Sequence, residues 1–340
     1  MRCDDLFIAG LARHLPGFLD VEGAVRDGRY DAEEQEANAY VSVTVADGQA
    51  PPEMAVRAGS LALGRSGVAP GEVALLLHAS AWFQGVDYWP AASYVHREVL
   101  GANRRAPALD VAQMCSGALG AVELAASHLM AVRSRRAVLV TTADRFGAPG
   151  LDRWRGDVGG IVYGDGAAAV VLAREGFARL MSVGTVVDTG LEAMYRGEEA
   201  FSVKPGREVD IRARRRAFMA GTAGVADRTT AGLGEAIELA VEEAGVKLGD
   251  VARFVFPNVG LTTLRTRYLE PFGLEVAATA WEWGRRTGHV GAADQLTGLA
   301  ELVETGAVGP GDRVMLVGIG AGFSWTCAVV EVTARPSWVE

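Results

Sequence analysis

Short β-branched runs alternate along the chain with longer Ala- and Leu-rich stretches that carry an apolar face at helical spacing, the pattern of a mixed α/β fold. The runs predict strands over 6–12, 72–79, 137–143, 167–173, 254–257, 313–319 and 326–332. Several are apolar at nearly every position, as strands covered on both faces must be. Helices are predicted over 52–66, 116–133, 233–244 and 292–304. The stretch 187–216 breaks the pattern: it is polar, carries Arg207, Arg212, Arg214, Arg215 and Arg216, and reads as a surface loop leading into a basic helix start. No linker or low-complexity segment divides the chain.

One order of elements occurs twice. Cys115 precedes an apolar helix (118–132), a short basic turn and the strand from Ala137; His289 precedes the helix 292–304, a turn and the strand from Arg313. The spacings are 22 and 24 residues, and a Gly-rich strand pair closes each half, at 163–172 and at 318–330. This echo suggests a duplicated domain, halves 1–175 and 176–340, whose helix N-termini meet at a shared centre.

Composition narrows the function. With 340 residues, 49% hydrophobic and 22% charged, the chain can bury a sizeable core. Its net charge of −9 has the wrong sign for wrapping a nucleic-acid backbone. No apolar stretch is read as reaching the ~18–20 residues of a membrane helix, and the start is acidic, so the expected location is the cytoplasm. Cys3, Cys115 and Cys327 are odd in number and far apart, which supports neither a disulfide framework nor a metal site. A cysteine with a role acts as a thiol.

Cys115 stands where small residues open a helix, a place where the helix dipole and unpaired N–H groups favour a thiolate nucleophile. The bland alternative is a buried structural cysteine. His289 also sits among small residues ahead of a helix and is suited to act as base beside a nucleophile. Asp294, five residues on, is off its helical face; with His289 in the preceding loop, however, that carboxylate can reach back to Nδ1–H and fix the tautomer. His14, His78, His96 and His128 read as surface or packing residues.

The segments 110–117 (DVAQMCSG), 163–172 (YGDGAAAVVL), 256–258 (FPN), 288–293 (GHVGAA) and 318–325 (GIGAGFSW) occur in the order and spacing of the ketoacyl-[acyl carrier protein] synthase III family, which the chain resembles over nearly its whole length. The resemblance implies the thiolase fold, two duplicated halves in a five-layered αβαβα core, usually a homodimer, with the acyl group carried as a thioester on the cysteine. It implies an oxyanion hole from the N–H groups of Cys115 and Ala321, with Gly320 and Gly322 letting the chain approach substrate. The same glycines suit a tight strand turn.

Two positions depart from the family. Its condensing enzymes carry a Cys-His-Asn set, whereas here the His position is Asn258 and the Asn position is His289. Condensation needs hydrogen-bond donors around an enolate; transfer to a hydroxyl needs a base. The exchange resembles the synthase III-like acyltransferases of polyketide and sugar-tailoring pathways, which move an intact acyl group. Asn258 is then expected at the substrate, positioning acceptor or acyl carbonyl, although 254–258 also suits a core strand ending at a Pro turn.

The family's grip on coenzyme A, a Trp-Ile segment and an Arg-Thr-Gly-Ile stretch, has no match in 37–49. No bound cofactor is expected; a carrier-protein phosphopantetheine thioester is the expected donor, with acyl-CoA the alternative. Arg212, Arg214, Arg215, Arg216, Arg265 and Arg267 are candidates to dock the acidic carrier, or else a solvated charge run. Trp89 falls where the family places a residue that closes the partner's acyl pocket. The aromatic cluster around it suits an aryl or short bulky acyl group, or a packed seam. The expected activity is transfer of an intact acyl group through Cys115 to a small-molecule hydroxyl or second carrier thiol, with a decarboxylative condensing enzyme and a non-catalytic carrier-binding protein as rival readings.

Overall fold

The computed structural model describes residues 1–156, 159–197, 201 and 210–339; Arg207 lies outside the described residues. The strands are β1 (Phe7–His14), β2 (Gly17–Asp20), β3 (Ser42–Val45), β4 (Val73–Ala79), β5 (Ala108–Val111), β6 (Ala137–Asp144), β7 (Gly166–Ala173), β8 (Ala178–Val187), β9 (Arg253–Val255), β10 (Arg313–Gly320) and β11 (Ser324–Val332). The helices that matter here are α1 (Pro51–Ser66), α2 (Ala91–Leu100), α3 (Gly117–Ala131), α4 (Ile211–Gly221), α5 (Val225–Ala244), α6 (Trp281–Thr287) and α7 (Asp294–Glu304).

Nine strands hydrogen-bond in the order β5-β4-β6-β7-β1-β8-β11-β10-β9, and β2 pairs with β3 in a separate hairpin. At the middle, β1 meets β8 through only Phe7–Arg179 and Ile8–Ala178, so two arrays join along a narrow seam. The arrays repeat one plan. In the first, β4 and β6 are parallel while β6–β7 and β7–β1 are antiparallel. In the second, β9 and β10 are parallel while β10–β11 and β11–β8 are antiparallel. The first array adds the edge strand β5.

Helices α1 and α2 pack on the first array, α5 packs on the second, and α3 and α7 touch strands of both. That is the duplicated five-layered αβαβα thiolase fold. The central position of α3 explains its composition: Gly117, Ala118, Gly120, Ala121, Ala125 and Ala126 are buried with Leu119, Val122 and Leu129. A helix between two sheets needs small residues around most of its circumference. The 18-residue stretch Met114–Ala131 is also apolar enough, by length and composition, to cross a bilayer, which corrects the expectation that no such stretch exists. It passes that test because it is a core helix, more than half buried inside the protein.

All eight residues of β6 and of β7 are buried, as their near-continuous apolar runs require. Two elements differ from expectation. β8 is a ten-residue strand over a segment for which no strand was predicted, since Arg179, Ser182, Gly184 and Thr185 interrupt its apolar run. α5 begins at Val225, eight residues before its apolar periodicity becomes regular. The basic helix start after the polar stretch is α4, capped by Asp210, whose carboxylate accepts from the Ala213 N–H at 2.8 Å.

Candidate active site

The first array delivers Cys115 on a tight turn. Met114 adopts a left-handed φ of 49°, a conformation costing roughly 1 kcal/mol for a residue with a side chain, and the 3-10 turn Met114–Ser116 then runs into α3. Cys115 is half-buried, whereas Cys3 and Cys327 are enclosed. Burial pushes the Cys3 thiol up to about 12 and the Cys327 thiol higher still, so neither supplies a thiolate near neutral pH.

The second array delivers His289 from the loop between α6 and α7. Its Nε2 lies 3.0 Å from Cys115 Sγ, and its Nδ1–H donates to Asp294 Oδ2 at 2.5 Å. Spacing alone put Asp294 off the His289 face; the intervening 3-10 turn Gly291–Ala293 folds it back. The first half pins the histidine backbone: its N–H donates to Val162 O at 2.8 Å, and its carbonyl accepts from Gly164 N–H at 2.9 Å. Tyr163 lies against the ring at 5.5 Å between centroids. Burial of the imidazole alone would lower its pKa. The Asp294 carboxylate and the charge on Cys115 oppose burial and hold it well above the ordinary histidine value.

Asp294 is fully buried and satisfied. Oδ1 accepts from Val290 N–H at 2.8 Å and Asn258 Nδ2 at 3.2 Å, and Oδ2 accepts from Asn258 N–H at 2.8 Å. Asn258 therefore corrects the expectation of a substrate-facing amide. Its Nδ2 is engaged by Gly288 O at 2.9 Å and by Asp294, it is 4% exposed, and it is absent from the cavity wall. It orients the carboxylate that orients the histidine.

Cys115 and His289 open into a cavity of about 500 Å³, walled by Ile161, Tyr195, Leu233, Phe323 and Trp325 among others. Ala321, flanked by Gly320 and Gly322, also lines it. A Cβ on Gly320 would stand 2.3 Å from Ser116 Oγ and 2.6 Å from Gln113 O, so this glycine is required by the packing of β10 under the Cys115 turn. Gly322 has open space around it and a φ of 130°, so its requirement is conformational.

The arginines divide. Arg212 forms a two-pronged ion pair with Glu34 at 2.8 and 3.0 Å, and Arg214 donates to Tyr195 O at 3.0 Å, so both tie α4 to the body of the protein. Arg215, stacked over the Tyr195 ring, lines the cavity with Arg216 and Arg267; Arg265 is exposed but stands outside it. Trp89 is 36% exposed, packs near Tyr94 and does not reach its own chain's cavity.

Sequence reasoning missed the brace behind the histidine. Buried Asp165 accepts from Arg153 at 3.0 and 3.3 Å, from Ala46 N–H at 2.9 Å and from Phe146 N–H at 2.8 Å, while Arg153 also donates to Tyr163 O at 3.0 Å. The brace stiffens the 162–164 segment on which His289 hangs. Its signal was the Gly164-Asp165-Gly166 triplet, read only as the closing strand of a half.

Comparison with known proteins gives the same picture. The models of 3-oxoacyl-[acyl-carrier-protein] synthase III and of its C-terminal part match residues 109–188 and 241–332. A β-ketoacyl-[acyl-carrier-protein] synthase III of Rhodospirillum centenum is 30% identical over 288 residues, 84% of this chain and 85% of the relative. Among solved structures, ChlB3, described as an acyltransferase, is 38% identical with a TM-score of 0.93, covering 98% of this chain and 100% of that one. OleA of Xanthomonas campestris, at 21% identity and a TM-score of 0.78 over 97% of this chain and 98% of its own, shares the fold. With its five-layered fold and its cysteine at the head of the central helix, the chain belongs to the 3-oxoacyl-[acyl-carrier-protein] synthase III family of the thiolase superfamily, and it is an enzyme of that group.

Proposed function

We propose that this enzyme transfers an intact acyl group, aryl or short and polyketide-like, from a carrier-protein thioester to an acceptor hydroxyl or a second carrier thiol. The observation that carries the reading is the continuous relay Cys115 Sγ, His289 Nε2, His289 Nδ1, Asp294 Oδ2, with the Asn258 amide turned away from the thiol and onto the carboxylate. That arrangement offers one base at the thiol and lacks the second donor at Asn258 that an enolate would want.

In the first step the Cys115 thiolate attacks the thioester carbonyl. The carbon–sulfur bond to the carrier breaks, and the departing carrier sulfur takes the proton held on His289 Nε2. In the second step neutral His289 accepts the proton of the acceptor hydroxyl as its oxygen attacks the acyl-enzyme; the Cys115–acyl bond breaks and the imidazolium–thiolate pair returns. Asp294 keeps Nδ1 protonated throughout. The Cys115 and Ala321 N–H groups are assigned to the developing oxyanion, and the aromatic wall to the acyl group.

The donor is read as the phosphopantetheine thioester of an acidic carrier, guided by Arg216 and Arg267 at the cavity, with acyl-CoA as the alternative; the setting is natural-product biosynthesis in the cytoplasm. The working unit is read as a homodimer. Its support is the edge strand β5 with Leu109 half-exposed, beside a loop that exposes Phe83, Tyr88 and Trp89. The boundary between the halves is read at 175/176, between β7 and β8.

The test is incubation with acyl-carrier and malonyl-carrier donors, read by intact-protein mass spectrometry. An acyl adduct on Cys115 that is discharged by a hydroxyl or thiol acceptor supports transfer. Carbon dioxide release with a 3-oxo product supports instead the condensing reading, favoured by the name of the 30%-identical relative. Absence of any adduct leaves only carrier binding.

A further inference from the structure

Strand β6 ends on Asp144, a carboxylate with no exposed surface and, among the described residues, no arginine or lysine paired with it. A buried acid in that state is costly unless its oxygens are satisfied. They are satisfied entirely by backbone: Ala81 N–H at 2.9 and 3.1 Å, Trp82 N–H at 2.8 Å and Ala292 N–H at 3.2 Å. Ala292 belongs to the turn that separates His289 from Asp294. Beside it Gly291 has a φ of 64°, and a Cβ there would come within 2.3 Å of Asp144 Oδ2, so the turn is fitted against this carboxylate.

We propose that Asp144 is a positioning residue for the acyl-transfer site: from the first half of the fold it holds the Gly291–Ala292 turn and thereby sets the placement and basicity of His289. The proposal rests on the Cys–His–Asp reading above. Burial pushes the Asp144 pKa up to about 7, against the Ala292, Trp82 and Ala81 N–H groups and the charge of His289, which lower it. Once ionised, the carboxylate in turn favours the imidazolium.

The charged and titratable groups around this arrangement are few. Cys115, Asp294 and the Tyr163 ring face the His289 ring; His78 is hydrogen-bonded to Gln84, which donates to Trp82 O and Ala143 O; the Arg153–Asp165 pair engages the backbone two residues on, at Phe146.

The test is an NMR titration of the full-length protein labelled at histidine, with His289 assigned by the signal lost in His289→Gln. Asp144→Asn keeps the shape but turns an amide N–H toward one of the backbone donors. The His289 midpoint is expected to fall by about one pH unit, with the other four histidines unmoved and the circular dichroism spectrum retained. Gly291→Ala displaces the same carboxylate from the opposite side and is expected to shift His289 the same way. A merely architectural acid would lower the melting temperature without moving that midpoint. An unchanged His289 titration in a folded Asp144→Asn protein overturns the proposal, and so does failure of both variants to fold, which makes Asp144 a folding requirement only. The titration uses no acyl donor, so its failure is separable from failure of the transfer reading.

Discussion

Cys115 and His289 occupy equivalent places in the repeated plan, each ahead of a central helix, yet their surroundings are opposite. The cysteine is half-open to the cavity on a turn that owes its shape to a left-handed Met114. The histidine is 2% exposed, hung by two backbone hydrogen bonds from the other half and backed by Asp294, with Asp144 behind its turn. On the proposed reading, a nucleophile must be reached by a substrate as large as a carrier-bound thioester, whereas a base must be held still while protons pass. One duplicated frame serves both needs because its two loops are packed differently.

The largest test of that division is Cys115→Ala, expected to abolish the covalent acyl adduct in mass spectrometry while leaving the fold intact. His289→Ala should slow discharge of the acyl-enzyme by about 10²–10⁴-fold and affect acylation less; equal loss of both half-reactions in single-turnover measurements would contradict the assigned division of labour. Asp294→Asn should lower the His289 titration midpoint and reduce discharge about 10²-fold or more, because a neutral amide no longer enforces the Nδ1–H tautomer.

Stability should respond to pH with a definite sign. Asp144 holds its proton in the folded state up to about 7, whereas an unfolded aspartate releases it near 3.8. Its contribution is present at low pH and lost as pH rises through the folded pKa, so the stability-versus-pH slope between about pH 5 and 6 should be less negative in Asp144→Asn, by up to about 1.4 kcal/mol per pH unit. Denaturant melts at two pH values measure it, and parallel slopes would count against the raised pKa. The smallest effect is expected at the surface. Arg216→Glu or Arg267→Glu should raise the apparent KM for a carrier donor several-fold, a change that shrinks with added salt. Arg212→Ala should instead loosen α4, since that guanidinium is already bound to Glu34.

Much of this was legible from the chain. β7 and the central stretches of β6, β10 and β11 are almost wholly apolar because both their faces are covered, and such runs cannot be mistaken for loops. β8 was hidden because Ser182 and Thr185 satisfy their hydroxyls inside the protein, on Ala240 O at 2.6 Å and Glu123 at 2.5 Å, and so resemble solvent-facing residues. Cys115 and His289 stood out by their small-residue settings. The roles of Asn258, Gly320 and Asp144 did not, because each is decided by what fills the adjoining space. Asp144 meets Ala292 from 148 residues away, and a lone aspartate ending a strand carries no mark of the partner it will find.

The narrow seam between the two arrays has a consequence for the newborn chain. The thiol and its imidazole are 174 residues apart and come from opposite arrays. At roughly 5–20 residues per second, the ribosome finishes Cys115 on the order of ten seconds or more before it makes His289. Throughout that interval the nascent polypeptide carries the thiol without its imidazole partner. The proposed relay is thereby complete only once the second array has been made.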